Sequence, residues 1–476
     1  MTRTHRASAG AWCAAGLMVA AAAGSQPLTA ERAVQIALQK STSVVNAMAG
    51  VVDARGGVYG AYSGVMPQVS ASWSRGVSKT TQQTGTQLFG TLAFASPPTD
   101  IESYSITPQV TGQWSILNLS NLSSVSAARS GLKASQHGLQ AARSDVALET
   151  RRRFYNAVSA VHLGGVADAA VKLSRDDERR VRALFEVGSV SRSDLLRAQV
   201  RTASSQLDSI TAHQAVVSQR VALAEILAMP EGQLGEVDTT LTAEAREFGE
   251  AEVLAEASRN RPDLQAAEAE LRSAKAGLTA AQLARLPYVS VSGSAQFNPS
   301  SNFTQKQFGT FPSDSVDHAD GSGIVHRFPP SVPFVQDPTR SGSSESDRIL
   351  RGQIALTWDL FTGFQTESRI AQARARVLRA EESRNALRRG LEGEVYQAMV
   401  AYREALGSEQ LASTTLESAA ENLKLTQQKY NVGSTTILEL IDSQVSLTRA
   451  AATRVQALAA IRIAEAQINR VRGRIE

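Results

Sequence analysis

The chain has 476 residues, 42% of them hydrophobic but only 5% aromatic, and its 49 basic and 45 acidic side chains leave a net charge of +4. That length would hold two or three ordinary domains, yet long runs of Ala, Gln, Arg, Ser and Leu suit thin helices better than a thick globular core. Charges of both signs are interspersed along those runs as on solvated helix faces, which argues against a nucleic-acid partner.

Arg3, His5 and Arg6 precede an apolar run from Ala9 to Ala23 that closes on Ala22, Ala23 and Gly24, the pattern of a secretory leader over residues 1–24. The run is short for a bilayer span and no other segment approaches about 20 apolar residues, so no transmembrane helix is expected. Cys13, the single cysteine, lies in the leader ahead of much of the apolar run, a poor place for lipid attachment. The mature chain is then expected to have no disulfide, thiol nucleophile or cysteine ligand.

From Leu28 to about Gly64 the spacing predicts helix, with Ala33, Ile36, Ala37 and Val44 inward, until Pro67 stops it. The period then falls to two: Val69, Ala71, Trp73 and Val77 alternate with Ser70, Ser72, Ser74 and Ser78. After a Gly/Thr/Gln/Pro-rich stretch, Tyr104, Ile106, Val110, Gly112, Trp114 and Ile116 alternate with Ser105, Thr107, Gln109, Thr111, Gln113 and Ser115, giving a hairpin of amphipathic strands over residues 67–117. Pro108 cannot donate to a ladder and predicts a bulge or local break. Helical spacing resumes near Asn118 and runs about 65 residues, about 100 Å as one helix, to a tip at Phe185–Asp194. Gly164 and Gly165 are candidate break points within it, and a return helix from about Ser191 to Met229 ends at Pro230.

The pattern then repeats, so residues 25–246 and 247–476 read as two copies of one unit. Pro262, Asp263 and Leu264 fall 220 positions after Thr42, Ser43 and Val44, and Leu286-Pro287 repeats Met66-Pro67. Val289, Val291, Ala295 and Phe297 alternate with Ser290, Ser292, Ser294 and Gln296; later Leu350, Gly352, Ile354, Leu356, Trp358 and Leu360 alternate with Arg351, Gln353, Thr357 and Asp359, a second hairpin over residues 286–361. Trp358 lies 244 positions after Trp114, so this loop, Asn298–Asp347, is about 24 residues longer; length is tolerated there. Helix then runs to the end through a second tip at Tyr430–Asp442. The tips align residue by residue: Phe185 with Tyr430, Gly188 with Gly433, Ser189 with Ser434, Asp194 with Glu439, Leu195 with Leu440 and Gln199 with Gln444. Each is a helix ended by glycine, capping Ser/Thr residues and a new helix.

Four strands with one apolar and one polar face, flanked by Ala- and Arg-rich helices, have little within the chain to cover them. A polar face toward water and an apolar face toward lipid fit a membrane barrel, with Trp73, Tyr104, Trp114, Tyr288 and Trp358 as candidates for its aromatic girdles. Four strands are too few to close, and an open edge is not tolerated in hydrocarbon, so a barrel would be shared between copies in a multiple of four strands.

No catalytic constellation stands out. His318 and His326 with Asp317 and Asp320 could hold a metal, but a disordered polar loop accounts for them better. Gly57, Gly60 and Gly64 lie in a helical stretch and read as packing or bending positions, not a phosphate loop. An enzyme is not expected, nor is any cofactor or metal.

The tip Tyr-Asn-Val-Gly-Ser-Thr-Thr-Ile-Leu-Glu-Leu-Ile-Asp-Ser-Gln over Tyr430–Gln444, with its weaker copy at Phe185–Gln199, resembles the signature of the TolC family of outer-membrane channels. The resemblance extends over essentially the whole mature chain. It implies a mixed α/β membrane protein: long helical hairpins forming a periplasmic α-barrel, and four strands per protomer contributing to a transmembrane β-barrel of three protomers and twelve strands. It also implies a homotrimeric exit duct in the outer membrane of a Gram-negative bacterium, extending into the periplasm. The expected partners are a periplasmic membrane-fusion adaptor, an inner-membrane transporter of RND, ABC or MFS type, and outer-membrane lipid. Such ducts serve drug efflux, metal efflux and type I secretion, and the long loop would face outside.

Carried over to this chain, the resemblance makes Asp194 and Tyr430 an inter-hairpin latch that holds the periplasmic end shut, with Glu439 and Asp442 as pore-constriction acids. Where the family archetype has an arginine two places after the tip glycine, this chain has Thr435, and Arg192 is the residue available to substitute. Acids three apart share a helix face, although near a helix N-terminus they also simply complement the dipole. The alternative reading is a periplasmic coiled-coil adaptor or structural protein with soluble sheets, which membrane fractionation distinguishes.

Overall fold

The computed structural model describes residues 27–82, 87–89, 92–94, 99–242, 246–305, 318–319, 325–326 and 342–475. The leader with Cys13, the loop residues Asp317 and Asp320, and the side chains of His318 and His326 lie outside what is described. The elements are α1 (Ala30–Lys40), α2 (Thr42–Ser63), β1 (Gln68–Gln82), β2 (Gln87–Phe89), β3 (Leu92–Phe94), β4 (Thr99–Leu117), α3 (Leu119–Glu186) and α4 (Arg192–Ile226). A 3₁₀ turn at Glu231–Gln233 leads to α5 (Glu250–Asn260), α6 (Pro262–Leu283), β5 (Tyr288–Gln305), β6 (His318–Ala319), β7 (Val325–His326), β8 (Gly342–Thr357), α7 (Gln365–Asn431) and α8 (Ile437–Val471). Two short helices, a strand hairpin and two long helices thus occur in order, and then again. Among the described residues no helix is long and apolar enough to cross a membrane.

Contacts divide the chain into a helical unit, made of the described residues to Gly57 with Ala127–Lys275 and Arg374 onward, and a sheet unit, Val58–Ser126 with Ala276–Ala373. The stretch expected to be helical from Leu28 to about Gly64 forms two helices, α1 and α2. Thr29 caps α1 by accepting from Arg32 N, and Ser41 leaves helical geometry with its N–H on Ala37 O. Arg261 ends α5 in the same way, with its N–H on Ala257 O, and Pro262 opens the next helix, a position where a missing N–H costs nothing. The residue 220 positions earlier is Thr42, which gives no comparable stop. Gly164 and Gly165 do not interrupt α3.

Two hydrophobic cores form here from corresponding residues. One joins Ala33, Ala37, Val146, Phe154 and Leu223; the other joins Val253, Ala257, Leu391, Met399 and Ile468. The offsets are 220 positions for the short helices and 245 for the long ones, so each core is a short helix packed on a long pair. Arg472 ties the end of α8 to α5 through Glu256, with Nε and Nη2 donating at 2.7 and 3.0 Å.

The sheet unit holds a four-stranded antiparallel sheet in the order β1-β4-β5-β8. Its register brings the apolar positions of all four strands onto one face: Ala71, Val110, Ala295 and Leu350 form one row, and Val69, Gly112, Gly293 and Gly352 the next. The rows of the opposite face are polar, for example Ser70, Thr111, Ser294 and Arg351. Pro108 leaves β4 continuous and its pairing to β1 unbroken. Instead the β4–β5 pairing is interrupted between Ser105 and Gln109 and resumes in the same register, while the irregularity falls at Ser115–Leu117. Pro108 and Pro299 both lie at the interruption, where neither has an N–H to contribute. β1 and β8 are the outer strands, each paired on one side only.

Candidate functional site

Both tips lie in the helical unit and are built alike. Gly188 and Gly433 adopt φ of +76° and +72°, the left-handed conformation that ends a helix without Cβ penalty. Ser189 N donates to Leu184 O at 2.8 Å and Ser434 N to Lys429 O at 2.9 Å, the same bond at each tip. The next helices start from Ser191 and Thr436, whose hydroxyls accept from Asp194 N and Glu439 N. The tips pack together: Val181, Ala198 and Ile437 form one buried cluster with Val190, Leu195, Tyr430 and Ile441 against it.

Asp194 and Glu439 are therefore both at the third position of a helix. The Asp194 carboxylate completes a capping box, accepting from Ser191 N at 3.3 Å and Ser191 Oγ at 2.7 Å. Glu439 accepts from the Thr435 hydroxyl, so the threonine that replaces the expected arginine supports the acid locally. Glu439 and Asp442 are exposed, as is Arg192. Tyr430 Oη is buried and has no hydrogen-bond partner among the described residues. Burial first, and then the negative charges of Asp194 and Asp177, push its hydroxyl pKa up. The structure thus brings Asp194 near Tyr430 without a bond between them.

A buried pair joins the two hairpins where sequence reasoning placed nothing. The Gln444 amide donates to the Asp177 carboxylate, linking α8 to α3, and Arg180 Nη1 donates to its other oxygen at 3.2 Å. Asp177 and Gln444 are only 7% and 2% exposed. Burial raises the Asp177 pKa, against the lowering effects of Gln444 and Arg180. Gln444 was visible as a motif residue. Asp177 was not, because it is one of several acids in an Arg/Asp/Glu-rich run, and the residue 245 positions later is Asn422.

In the sheet unit, Trp114 Nε1 donates to Val65 O at 2.8 Å and Trp358 Nε1 to Arg285 O at 3.1 Å. The acceptors lie 220 positions apart, each two before the proline that precedes a strand. Both residues lie at or beside their strand ends and are exposed, Trp114 by 42% and Trp358 by 60%. Trp73 lies on the apolar face opposite Pro108, and Tyr104 occupies an apolar-face position opposite Val77, its side chain being outside the described residues. Tyr288 differs: as the first residue of β5 it has the parity of Ser290 and Ser292, the polar face.

The sequence matches the model of the family described as Outer membrane efflux protein over residues 33–229 and 253–474. Nodulation protein T of Rhizobium leguminosarum bv. trifolii is 24% identical over 310 residues, 62% of this chain, and the chain spans 55% of that relative's length. Among solved structures, the Campylobacter jejuni CmeC outer membrane channel superposes with a TM-score of 0.72 at 16% identity, over 93% of this chain and 85% of that one. Vibrio cholerae VceC gives 0.70 at 18% identity over 94% and 97%. The open state of the Neisseria gonorrhoeae MtrE channel gives 0.69 at 19% over 94% and 89%. The four-stranded sheet and long helices are the fold of these TolC-like channels, and the chain belongs to the outer membrane efflux protein family, a family of non-enzymatic outer-membrane transport channels.

Proposed function

We propose that three copies of the chain close a twelve-stranded barrel in the outer membrane and serve as the exit duct of a tripartite efflux pump or type I secretion system. A periplasmic membrane-fusion adaptor and an inner-membrane transporter of RND, ABC or MFS type would deliver the cargo and supply the energy. The carrying observation is the sheet, with one exposed face that is apolar apart from Arg75, Lys79 and Arg348, and with two half-paired outer strands. In hydrocarbon every strand edge must be paired, and three sheets of four strands reach a number that closes. The two family matches begin at residues 33 and 253, which supports descent of the halves from one duplicated unit.

Trp114 and Trp358 suit the girdle at the helix end of the barrel. Tyr104 lies ten residues from Trp114 on β4, about 34 Å along the strand or about 25 Å in height at a tilt near 40°, the depth of an apolar band. Trp73 falls between those levels. In the helical hairpins, the unpartnered Tyr430 hydroxyl and the acid at Asp194 are the pair we assign to the periplasmic latch, with Glu439 and Asp442 lining the constriction. A structure-preserving test of the lumen uses single cysteines in the thiol-free mature chain. A water-soluble thiol reagent is expected to label Ser292→Cys and spare Val291→Cys in lipid; the reverse result would mean that the faces are assigned backwards.

A further inference from the structure

Wherever side chains of the polar sheet face are described, its positions carry Ser, Thr, Gln and a few small or apolar residues, and one charge. That charge is Arg351. It ends the row Ser70, Thr111, Ser294, Arg351, in which the Ser70 and Thr111 hydroxyls are hydrogen-bonded at 2.7 Å. The next row, Gln68, Gln113, Ser292, Gln353, adds amides, and the sheet is recessed between the two. Arg351 is exposed, with no carboxylate among the described side chains of its face. A guanidinium standing beside hydroxyl and amide donors is the donor set for a carboxylate, phosphate or sulfonate.

We infer that Arg351 forms an anion-favouring ring in the barrel, a specificity element for cargo that carries such groups. This rests on the proposal that the polar face lines the lumen. A twelve-stranded barrel has a backbone radius of about 12 Å at the usual strand spacing and tilt. Three guanidinium groups reaching inward then leave no part of the cross-section beyond one Debye length, about 10 Å at 0.1 M salt. Asp347 and Glu345 continue the same parity toward the loop, about 13 and 20 Å along the strand or about 10 and 15 Å in height at a tilt near 40°, so at that salt Asp347 offsets the ring in part and Glu345 little. Rings of arginine select anions in pores by this same placement of charge.

The test is the reversal potential of the full protein in planar bilayers near 0.1 M KCl under a salt gradient. It is read in a Glu439→Gln/Asp442→Asn background, so that the tip acids do not mask the barrel. Arg351→Gln is expected to lower the chloride-to-potassium permeability ratio about twofold or more, and Arg351→Lys to retain it. Arg351→Cys, modified by a water-soluble sulfonated thiol reagent, should lower the ratio further than the glutamine variant does. An unchanged ratio in Arg351→Gln, with Arg351→Cys readily modified, overturns the ring while leaving the lumen reading intact. Failure of the reagent to reach Arg351→Cys in a folded, conducting protein overturns the lumen reading, and the ring with it.

Discussion

The helical unit has buried apolar cores of its own, and the strands of the sheet unit have none. In the helical unit Val158, Leu223 and Ile468 are fully buried, whereas in the sheet unit Leu350 is 80% and Ile354 77% exposed. Full burial of one such side chain is worth about 1.5–3 kcal/mol, so the helices form buried cores within one protomer, although Val200, Leu207 and Leu411 stay 65–72% exposed, whereas no described strand residue is buried. An exposed apolar face of this extent marks an interaction surface; here the family identifies the setting as the outer membrane. The contrast teaches that the chain's stability has two sources, one internal and one supplied by what surrounds the sheet.

Mutations can break that contrast. Phe154→Ala, in the first helical core, is expected to cost about 3–5 kcal/mol wherever the protein is studied, measured by denaturant unfolding followed through the helical signal. Leu350→Arg should cost about 2–4 kcal/mol near the bilayer midplane yet little in an uninserted chain, while Ser292→Arg on the opposite face should be tolerated in both. Comparing unfolding in lipid with the uninserted state separates these cases, and equal costs for the two arginines would contradict the facial assignment. Trp114→Phe and Trp358→Phe each remove an indole donor from a turn carbonyl and should cost about 0.5–1.5 kcal/mol. Similar losses for the two would support equivalent roles in the two copies.

Much of this was legible in the sequence because a strand's period of two declares its faces without knowledge of its partners. Val291 and Ser292 are assigned by parity alone. The row Gly112, Gly293, Gly352 needed the register, since nothing in any single strand sets its glycine beside the others. The second indole anchor was hidden for a related reason: Trp358 reads as one more apolar alternation, and its bond to Arg285 O depends on the folded turn. Pro108 was correctly suspect, but its effect went to the β5 side, because a residue in a strand has only one neighbour toward which its N–H points. Long helices conceal more. The break at Ser41 has no proline, and Asp177 sits in a run where each acid has a nearby arginine to explain it.

The tips offer smaller effects that sharpen the comparison within the helical unit. Asp177 has a raised folded-state pKa, so its contribution to tip packing is largest when the carboxyl is protonated, below its unfolded value, and is lost as pH rises through the folded value. Acidification from neutral should therefore tighten the tips, read as slower hydrogen exchange around Val181 and Ile437, and Asp177→Asn should remove that pH dependence. Tyr430→Phe should leave protomer stability within about 0.5 kcal/mol, because its hydroxyl bonds to nothing described in the protomer. Combined with Asp194→Asn, which keeps an acceptor for the helix cap, it should raise single-channel conductance; unchanged conductance would move the latch elsewhere, with Arg192 the next residue to replace.

In the proposed duct the sheet's outer strands are completed by other copies of the chain. Native mass spectrometry of the protein extracted from outer membranes in mild detergent tests it most directly. A particle of three chains is expected, lost together with its β-structure on heating. A stable, correctly folded monomer with its four-stranded sheet intact would contradict it.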